Sequence, residues 1–398
     1  MADVNIASPL ELPCGVTIKN RLCKAAMTEG LADEWNRATG KHDTLYKAWA
    51  DGGAGVVLTG NVQVDRRYLE RPGNVAVDNN GALDALERWA EAGTRNDTQL
   101  WPQVGHAGRQ VSKYTCKVPV APSPVAIEGS LAGFYNTPRA LADDEIEDVI
   151  ARFAHVAGVL KSVGFTGVQI HGAHGYLISS FLSPRVNKRS DKWGGTIENR
   201  ARLLLRVVEA TRKAVGPDFP VALKLNSKDF QDDGFGLEDS AKVVSWLADS
   251  GLDLFEVSGG TYEKFAMMDD SKDSTRKREA YFLEYAQELR KQTTIPMMVT
   301  GGFRSRAAMD DALANDELDM VGLGRPTVME PDLPNKLISG DSDAARAYGP
   351  VSVFVYYQQI RRLAVGEPPD FDMDENAALA ECMKLEAVAA KALTGRDA

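Results

Sequence analysis

A chain of 398 residues, 44% hydrophobic and 26% charged, can bury one large core and reads as globular rather than disordered. Its 46 basic and 56 acidic side chains leave a net charge of -10, which argues against nucleic acid or an anionic membrane surface as partner and favours small soluble ligands. The four cysteines, Cys14, Cys23, Cys116 and Cys382, lie far apart without a CxxC pair, so neither a disulfide framework nor a cluster-binding site is expected. No apolar run reaches membrane-spanning length, and the opening MADVNIASPLELPCG lacks the basic and apolar regions of a secretory leader, so a cytoplasmic protein with no membrane partner is expected.

Taken in chain order, eight short β-type runs recur, each followed by a stretch with helical spacing. They are RLCKAAM from Arg21, AGVVLTGNV from Ala54, QLWPQVG from Gln99, GVQIHG from Gly167, VALKLN from Val221, LFEVSG from Leu254, IPMMVTGG from Ile295 and DMVGLGR from Asp319. Between them, DEIEDVIARFAHVAGVLKSVG and NRARLLLRVVEATRKAVG carry apolar residues three or four apart and stop at Gly164 and Gly216. Eight alternations predict an α/β fold, a (β/α)8 TIM barrel in a single domain, although an open doubly wound sheet shares the pattern. The barrel is expected over residues 1–365. A C-terminal helical tail is expected over 366–398, where AALAECMKLEAVAAKAL would pack on the barrel or on another subunit, the latter giving a homo-oligomer.

In a barrel, chemistry gathers at the C-terminal ends of the strands. Here the strand ends carry Met27 and Thr28, Gly60, Gln103 and His106, His171 and His174, Lys224 and Asn226, and Ser258 with Gly259, while glycines close the last two. Two insertions, Ala107 to Leu141 and Tyr262 to Arg278, follow strands and should overhang the same mouth as covers or as surface.

The last two turns, TGGFRS with Gly301 and Gly302 and GLGR with Gly324 and Arg325, suit a phosphate held by backbone N–H groups and a guanidinium. That feature names a group and not a reaction: a flavin mononucleotide, a sugar phosphate or a phosphorylated intermediate would all satisfy it. In HGAHGYLISSFLSP two residues separate the histidines, one fewer than in the HExxH zinc helix, and that motif's glutamate is absent. His171, His174 and His106 together offer three imidazoles with no adjoining carboxylate, so no metal is expected. Histidines satisfied by backbone groups are the plainer alternative for each taken singly.

The segment HGAHGYLISSFLSPRVNKRSDKWGGTIENRARL resembles the signature of the Old Yellow Enzyme family of flavin-dependent ene-reductases. RLCKAAMT, QVGHAGR, VALKLN and the closing GG and GLGR turns follow in the family's order, so the resemblance covers roughly residues 5 to 365. It implies a barrel that holds FMN non-covalently, with NADH or NADPH as hydride donor and a small electrophilic alkene as substrate, the two using one mouth alternately in ping-pong turnover. By position it places Ala26, Met27, Thr28, Gly60, Gln103 and Lys224 along the flavin ring and Gly301, Gly302, Gly324 and Arg325 at its phosphate. His171 and His174 would bind the substrate's carbonyl or nitro oxygen as two donors aimed at one developing charge. Tyr176 would protonate the α-carbon, since a phenol titrating near ~10 stays protonated at neutral pH.

Three departures from the family's pattern stand out. Lys224 replaces a frequent arginine, which keeps a cation but loses its bidentate fork. Thr28 stands where some members carry a cysteine. Gly60 replaces a frequent alanine and is expected to leave room in the pocket. The charges from Arg185 to Arg200 are expected to tie loop to barrel, and with scattered cysteines the iron–sulfur architecture of larger relatives is not expected. Three other readings stay open: an oxidative demethylase or dehydrogenase on the same fold, a non-catalytic flavin binder, and a flavin-free lyase or isomerase acting on a phosphorylated substrate.

Overall fold

The computed structural model describes residues 4–129, 131–260, 263, 283–346 and 352–396. Eight strands run parallel: β1 (Leu22–Lys24), β2 (Val56–Gln63), β3 (Gln99–Gly105), β4 (Val168–Gly172), β5 (Val221–Asn226), β6 (Leu254–Ser258), β7 (Met297–Thr300) and β8 (Met320–Leu323). Neighbours in sequence pair with one another, and β8 returns to β1 through Val321↔Leu22, Gly322↔Cys23 and Leu323↔Lys24. The sheet is therefore a closed barrel, and the doubly wound alternative falls because that architecture leaves both edge strands unpaired.

Strand geometry sorts side chains by parity, with alternate residues facing opposite sides. Cys23, Val56, Leu58, Trp101, Ala222, Leu254, Met298 and Met320 point inward and form one apolar cluster. Its lower end is plugged by an antiparallel pair, Leu10–Glu11 with Thr17–Ile18, whose Leu10, Leu12 and Ile18 join that cluster. The opposite parity, Val57, Leu100, Ile170, Leu223, Phe255 and Val299, faces the helical ring and belongs to the larger outer core.

The ring includes α1 (Gly40–Asp51), α2 (Leu83–Gly93), α3 (Asp143–Ser162), α4 (Ile197–Val215) and α5 (Leu237–Leu247). Acidic Asp143, Asp144 and Glu145 fill the first turn of α3, where the helix dipole favours negative charge, and Glu145 accepts from the Ala142 N–H at 2.8 Å. The α3 chain leaves through Gly164 at φ +97 and α4 through Gly216 at φ +79, both left-handed positions where glycine costs least.

The segment from Arg185 to Arg200 ties loops to the barrel. Arg189 Nη1 donates to the carbonyls of Pro122 and Leu141, Asn187 Nδ2 to those of Phe181 and Trp193, and Arg200 pairs with Asp239 at 2.7 Å. The C-terminal helix Glu375–Arg396 packs on this same chain: Glu386 pairs with Arg71 of the β2–α2 loop, and Leu393 lies with Leu69 and Ala76. Apart from Glu263, the insertion Tyr262 to Arg278 lies outside the described residues. Among the described residues no helix is long and apolar enough to cross a membrane.

Candidate active site

Above the apolar floor of the barrel the inward-facing positions turn polar. Counting upward by two from Trp101, Ala222, Leu254 and Met298 reaches Gln103, Lys224, Glu256 and Thr300, and Gln169 of β4 completes the belt. Glu256 is fully buried. Its Oε1 lies 2.9 Å from Lys224 Nζ and accepts from Thr300 Oγ1 at 2.7 Å, and its Oε2 accepts from Gln169 Nε2 at 2.7 Å. Gln169 Oε1 in turn accepts from Gln103 Nε2 at 2.6 Å. Strand register produces these meetings, because Lys224 pairs with His171 on one side and Glu256 on the other, while Gln103 pairs with Gln169.

At its upper end β4 carries His171 and closes with Gly172, after which the chain turns sharply. His174 sits at φ +64, a left-handed conformation rare outside glycine, and Gly175 follows at φ +79. The bend is held by Asn226, whose Oδ1 accepts from the His174 N–H at 3.2 Å, and it delivers the chain into the short helix Leu177–Leu182. As a result His171 meets His174 edge-on at 5.2 Å between ring centroids and Tyr176 at 4.8 Å. His171 Nδ1 accepts from the Ala173 N–H at 3.3 Å, which puts the ring hydrogen on Nε2. His174 Nε2 lies 2.7 Å from Ser258 Oγ. Burial holds both imidazoles well below the ordinary histidine range, reinforced by each having the Lys224 cation nearby, so both rings are neutral. Asn61 Nδ2 donates to the Tyr176 hydroxyl oxygen at 3.3 Å, a bond that does not use the phenolic hydrogen.

The end of β1 borders the same opening. Ala26 packs against the interior cluster and Met27 against the outer core. Thr28 Oγ1 donates to Glu70 Oε2 at 3.2 Å and accepts from Asn74 Nδ2 at 3.3 Å. Burial raises the Glu70 carboxyl, with neighbouring Arg71 pulling the other way. Gly60 sits where the pairing of β2 with β3 slips between Leu58 and Asn61. The expectation of spare room beside it is corrected: a Cβ there would lie 2.2 Å from Glu29 Oε2, 2.5 Å from the Met27 carbonyl and 2.7 Å from Thr28 Cα. Glu29 fills that space because its Oε1 accepts from the Gly60 N–H at 2.8 Å and from the Tyr46 hydroxyl.

The glycine turns close the circle. Gly301 and Gly302 have φ +112 and +81, and a Cβ on Gly301 would meet nothing within 4 Å, so its backbone borders open space. Gly324 lies beneath Met27, whose Sδ is 3.8 Å from where a Cβ would stand, and Arg325 begins the helix Arg325–Met329. His106 is not brought to the histidine pair by any contact. It stacks on Tyr68 with centroids 5.1 Å apart, and burial pushes it down to about 4. Among the described residues no three His, Cys, Asp or Glu side chains form a group able to hold a metal ion.

A closed barrel with a polar belt, a histidine pair and paired glycine turns at one rim finds its match in known proteins. The model of the NADH:flavin oxidoreductase / NADH oxidase family matches residues 5–343. The chain belongs to this family. A NADH-dependent flavin oxidoreductase of Hypocrea jecorina is 36% identical over 372 residues, covering 86% of this chain and 92% of that protein. One of Neonectria is 37% identical over 364 residues, covering 85% of this chain but 47% of its own, so the chain spans about half the length of that relative. Among solved structures, the Old Yellow Enzyme homologue of Zymomonas mobilis superposes with TM-score 0.75 at 22% identity, over 93% of this chain and 100% of that one. As a member of the NADH:flavin oxidoreductase family the protein is an FMN-dependent NAD(P)H oxidoreductase of the Old Yellow Enzyme type.

The family's cofactor fits the residues present. A cation, a carboxamide and a run of small or flexible side chains line one part of the rim, and left-handed glycines beside open space border another, as a flavin ring and its phosphate need. What sequence reasoning missed is the belt member Glu256 with its partner Gln169, together with Glu29 and Glu70. The signal was present in LFEVS: a carboxylate midway along a strand otherwise buried shares the inward parity of Leu254 and Ser258 and needs partners inside the barrel.

Proposed function

We propose that the protein reduces activated C=C bonds, those of enones, enals, maleimides or nitroalkenes, with NAD(P)H and substrate taking turns at one mouth. The observation that carries this reading is the contact of two neutral imidazoles and a phenol at the end of β4, above the belt. FMN, when bound, would supply the hydride chemistry that links NAD(P)H to the acceptor.

The chain's own residues do the rest. Nε2–H of His171 and a ring N–H of His174 bind the substrate's oxygen and stabilise the negative charge that grows there as the β-carbon is reduced. Neutral rings suit this task because they donate hydrogen bonds without surrendering a full proton. Tyr176 delivers its hydroxyl hydrogen to the α-carbon, with Asn61 orienting the oxygen from behind. Ala26, Met27, Thr28, Gly60, Gln103 and Lys224 line the flavin ring, and Gly301, Gly302, Gly324 and Arg325 hold its phosphate.

Anaerobic stopped-flow on Tyr176→Phe tests the assignment. The variant should be reduced by NAD(P)H at nearly the wild-type rate while its reoxidation by an enone slows by about 100-fold or more, the usual scale of a lost general acid. Equal slowing of both halves would remove Tyr176 from the role. In the wild type, parallel double-reciprocal lines are expected for alternating use of the mouth, and intersecting lines would reject it.

A further inference from the structure

The belt beneath the site contains one full negative charge, and the site as described so far does not use it. Glu256 is enclosed by the barrel and receives hydrogen bonds from three strands: Lys224 of β5, Thr300 of β7 and Gln169 of β4. Even the neighbouring glycine is fitted to it. A Cβ on Gly322 would lie 2.0 Å from Thr300 Oγ1, so the absence of a side chain lets the Thr300 hydroxyl turn toward the carboxylate.

We propose that Glu256 is a positioning residue for the flavin: it holds Lys224 as one half of a neutral pair under the ring and fixes which amide atom Gln103 presents to it. The inference rests on the placement of Lys224 and Gln103 beside FMN.

Two arguments lead there. The first is one of polarity. A carboxylate accepts only, so Gln169 must turn its NH2 toward Glu256 and its oxygen toward Gln103. Gln103 then donates its own NH2 to Gln169, and Oε1 is the atom left to receive a ligand's N–H. One charge thus sets two amides in sequence, and Gln103 becomes an acceptor toward a pyrimidine N–H. The second is one of charge. Reduced flavin carries negative charge that a nearby cation stabilises. A lysine paired at 2.9 Å with a buried carboxylate offers a compact dipole in place of a net positive charge. Glu256 therefore restrains the preference of the site for the reduced cofactor and keeps hydride release favourable.

The test is the two-electron midpoint potential and the FMN dissociation constant of the loaded protein, measured for wild type, Lys224→Gln, Glu256→Gln, Glu256→Asp and the double variant Lys224→Gln/Glu256→Gln. Lys224→Gln should lower the potential. Glu256→Gln should raise the ratio of reduced to oxidised FMN affinity about tenfold, which is about 30 mV for a two-electron couple. Glu256→Asp keeps the charge and should stay near wild type. The double variant exchanges a neutral pair for two neutral amides and should also return near wild type. A shift in Lys224→Gln with none in Glu256→Gln overturns the inference while leaving the cofactor placement standing. No change in either potential or affinity in Lys224→Gln overturns the placement, and the inference with it. If Glu256→Gln does not fold, the double variant decides: a potential near wild type supports the pairing, and one as low as that of Lys224→Gln refutes it.

Discussion

His174 Nε2 stands 2.7 Å from Ser258 Oγ, so the second histidine of the site is fixed by a residue two strands away. The proposed function takes the serine hydroxyl as donor into Nε2, which puts the ring hydrogen on Nδ1, the complement of His171, whose hydrogen is on Nε2. Under the proposed function the two rings would offer opposite nitrogens to one substrate oxygen. Ser258→Ala should weaken a phenol that mimics the enolate by about fivefold, the effect of one neutral hydrogen bond near 1 kcal/mol, and Ser258→Thr should restore most of it. Flavin absorbance titration reads both, and unchanged phenol affinity in the alanine variant would reject the link.

Three buried histidines, His42, His106 and His171, together with the half-buried His174, predict acid lability. Burial pushes His42 and His106 down to about 4 from 6.5, and holds His171 and His174 well below 6.5. In the unfolded chain each takes up a proton near 6.5, so between that pH and the folded value the unfolded state binds more protons. Stability is therefore full above about pH 6.5 and falls as pH drops toward 4, at about 1.4 kcal/mol per unit for each group fully in that window. Thermal denaturation followed from pH 8 to 4 should show a plateau and then a steepening loss. His106→Gln should flatten that loss.

Gly60→Ala is expected to destabilise the fold rather than remodel the pocket. The added methyl meets the backbone of Met27 and Thr28, which cannot rotate away, so a cost of about 1–3 kcal/mol typical of overpacking follows. Urea denaturation measures it, and a stability equal to wild type would mean that the β2 irregularity relaxes.

Glu386→Ala removes the carboxylate partner of a buried arginine. Arg71 is 7% exposed, stacks on Tyr357 at 4.0 Å and has an Nη1 with no hydrogen-bond partner among the described residues, so losing Glu386 leaves much of its charge uncompensated. Hydrogen exchange should accelerate across Glu375–Arg396 and the loop around Arg71, while β3 to β6 keep their protection. Uniform acceleration would show instead that the tail supports the whole barrel.

The barrel was legible because its strands and helices announce themselves by period and by glycine stops, as Gly164 and Gly216 do. QLWPQVG and VALKLN are strands along their whole length, whereas RLCKAAM contributes only Leu22–Lys24, since the end of that run leaves the sheet to build the mouth. Clusters within one segment, such as His171 with Tyr176, could be found by reading along the chain. Clusters across strands could not: Gln103 lies 66 positions before Gln169, and Gln169 lies 87 before Glu256, and only register brings them together. Gly60 was misread for the same reason, because its space is filled by Glu29, 31 positions earlier.

The pairing of Arg71 with Glu386 spans 315 positions. During synthesis the chain leaves the ribosome from its N-terminus, and domains begin to fold in that order. The β2–α2 loop, which carries Glu70 and through it touches Thr28, emerges long before the residue that neutralises Arg71. The barrel can close as soon as β8 reaches β1, yet this rim of its mouth reaches its final electrostatic state only once Glu386, 315 positions after Arg71, has been synthesised.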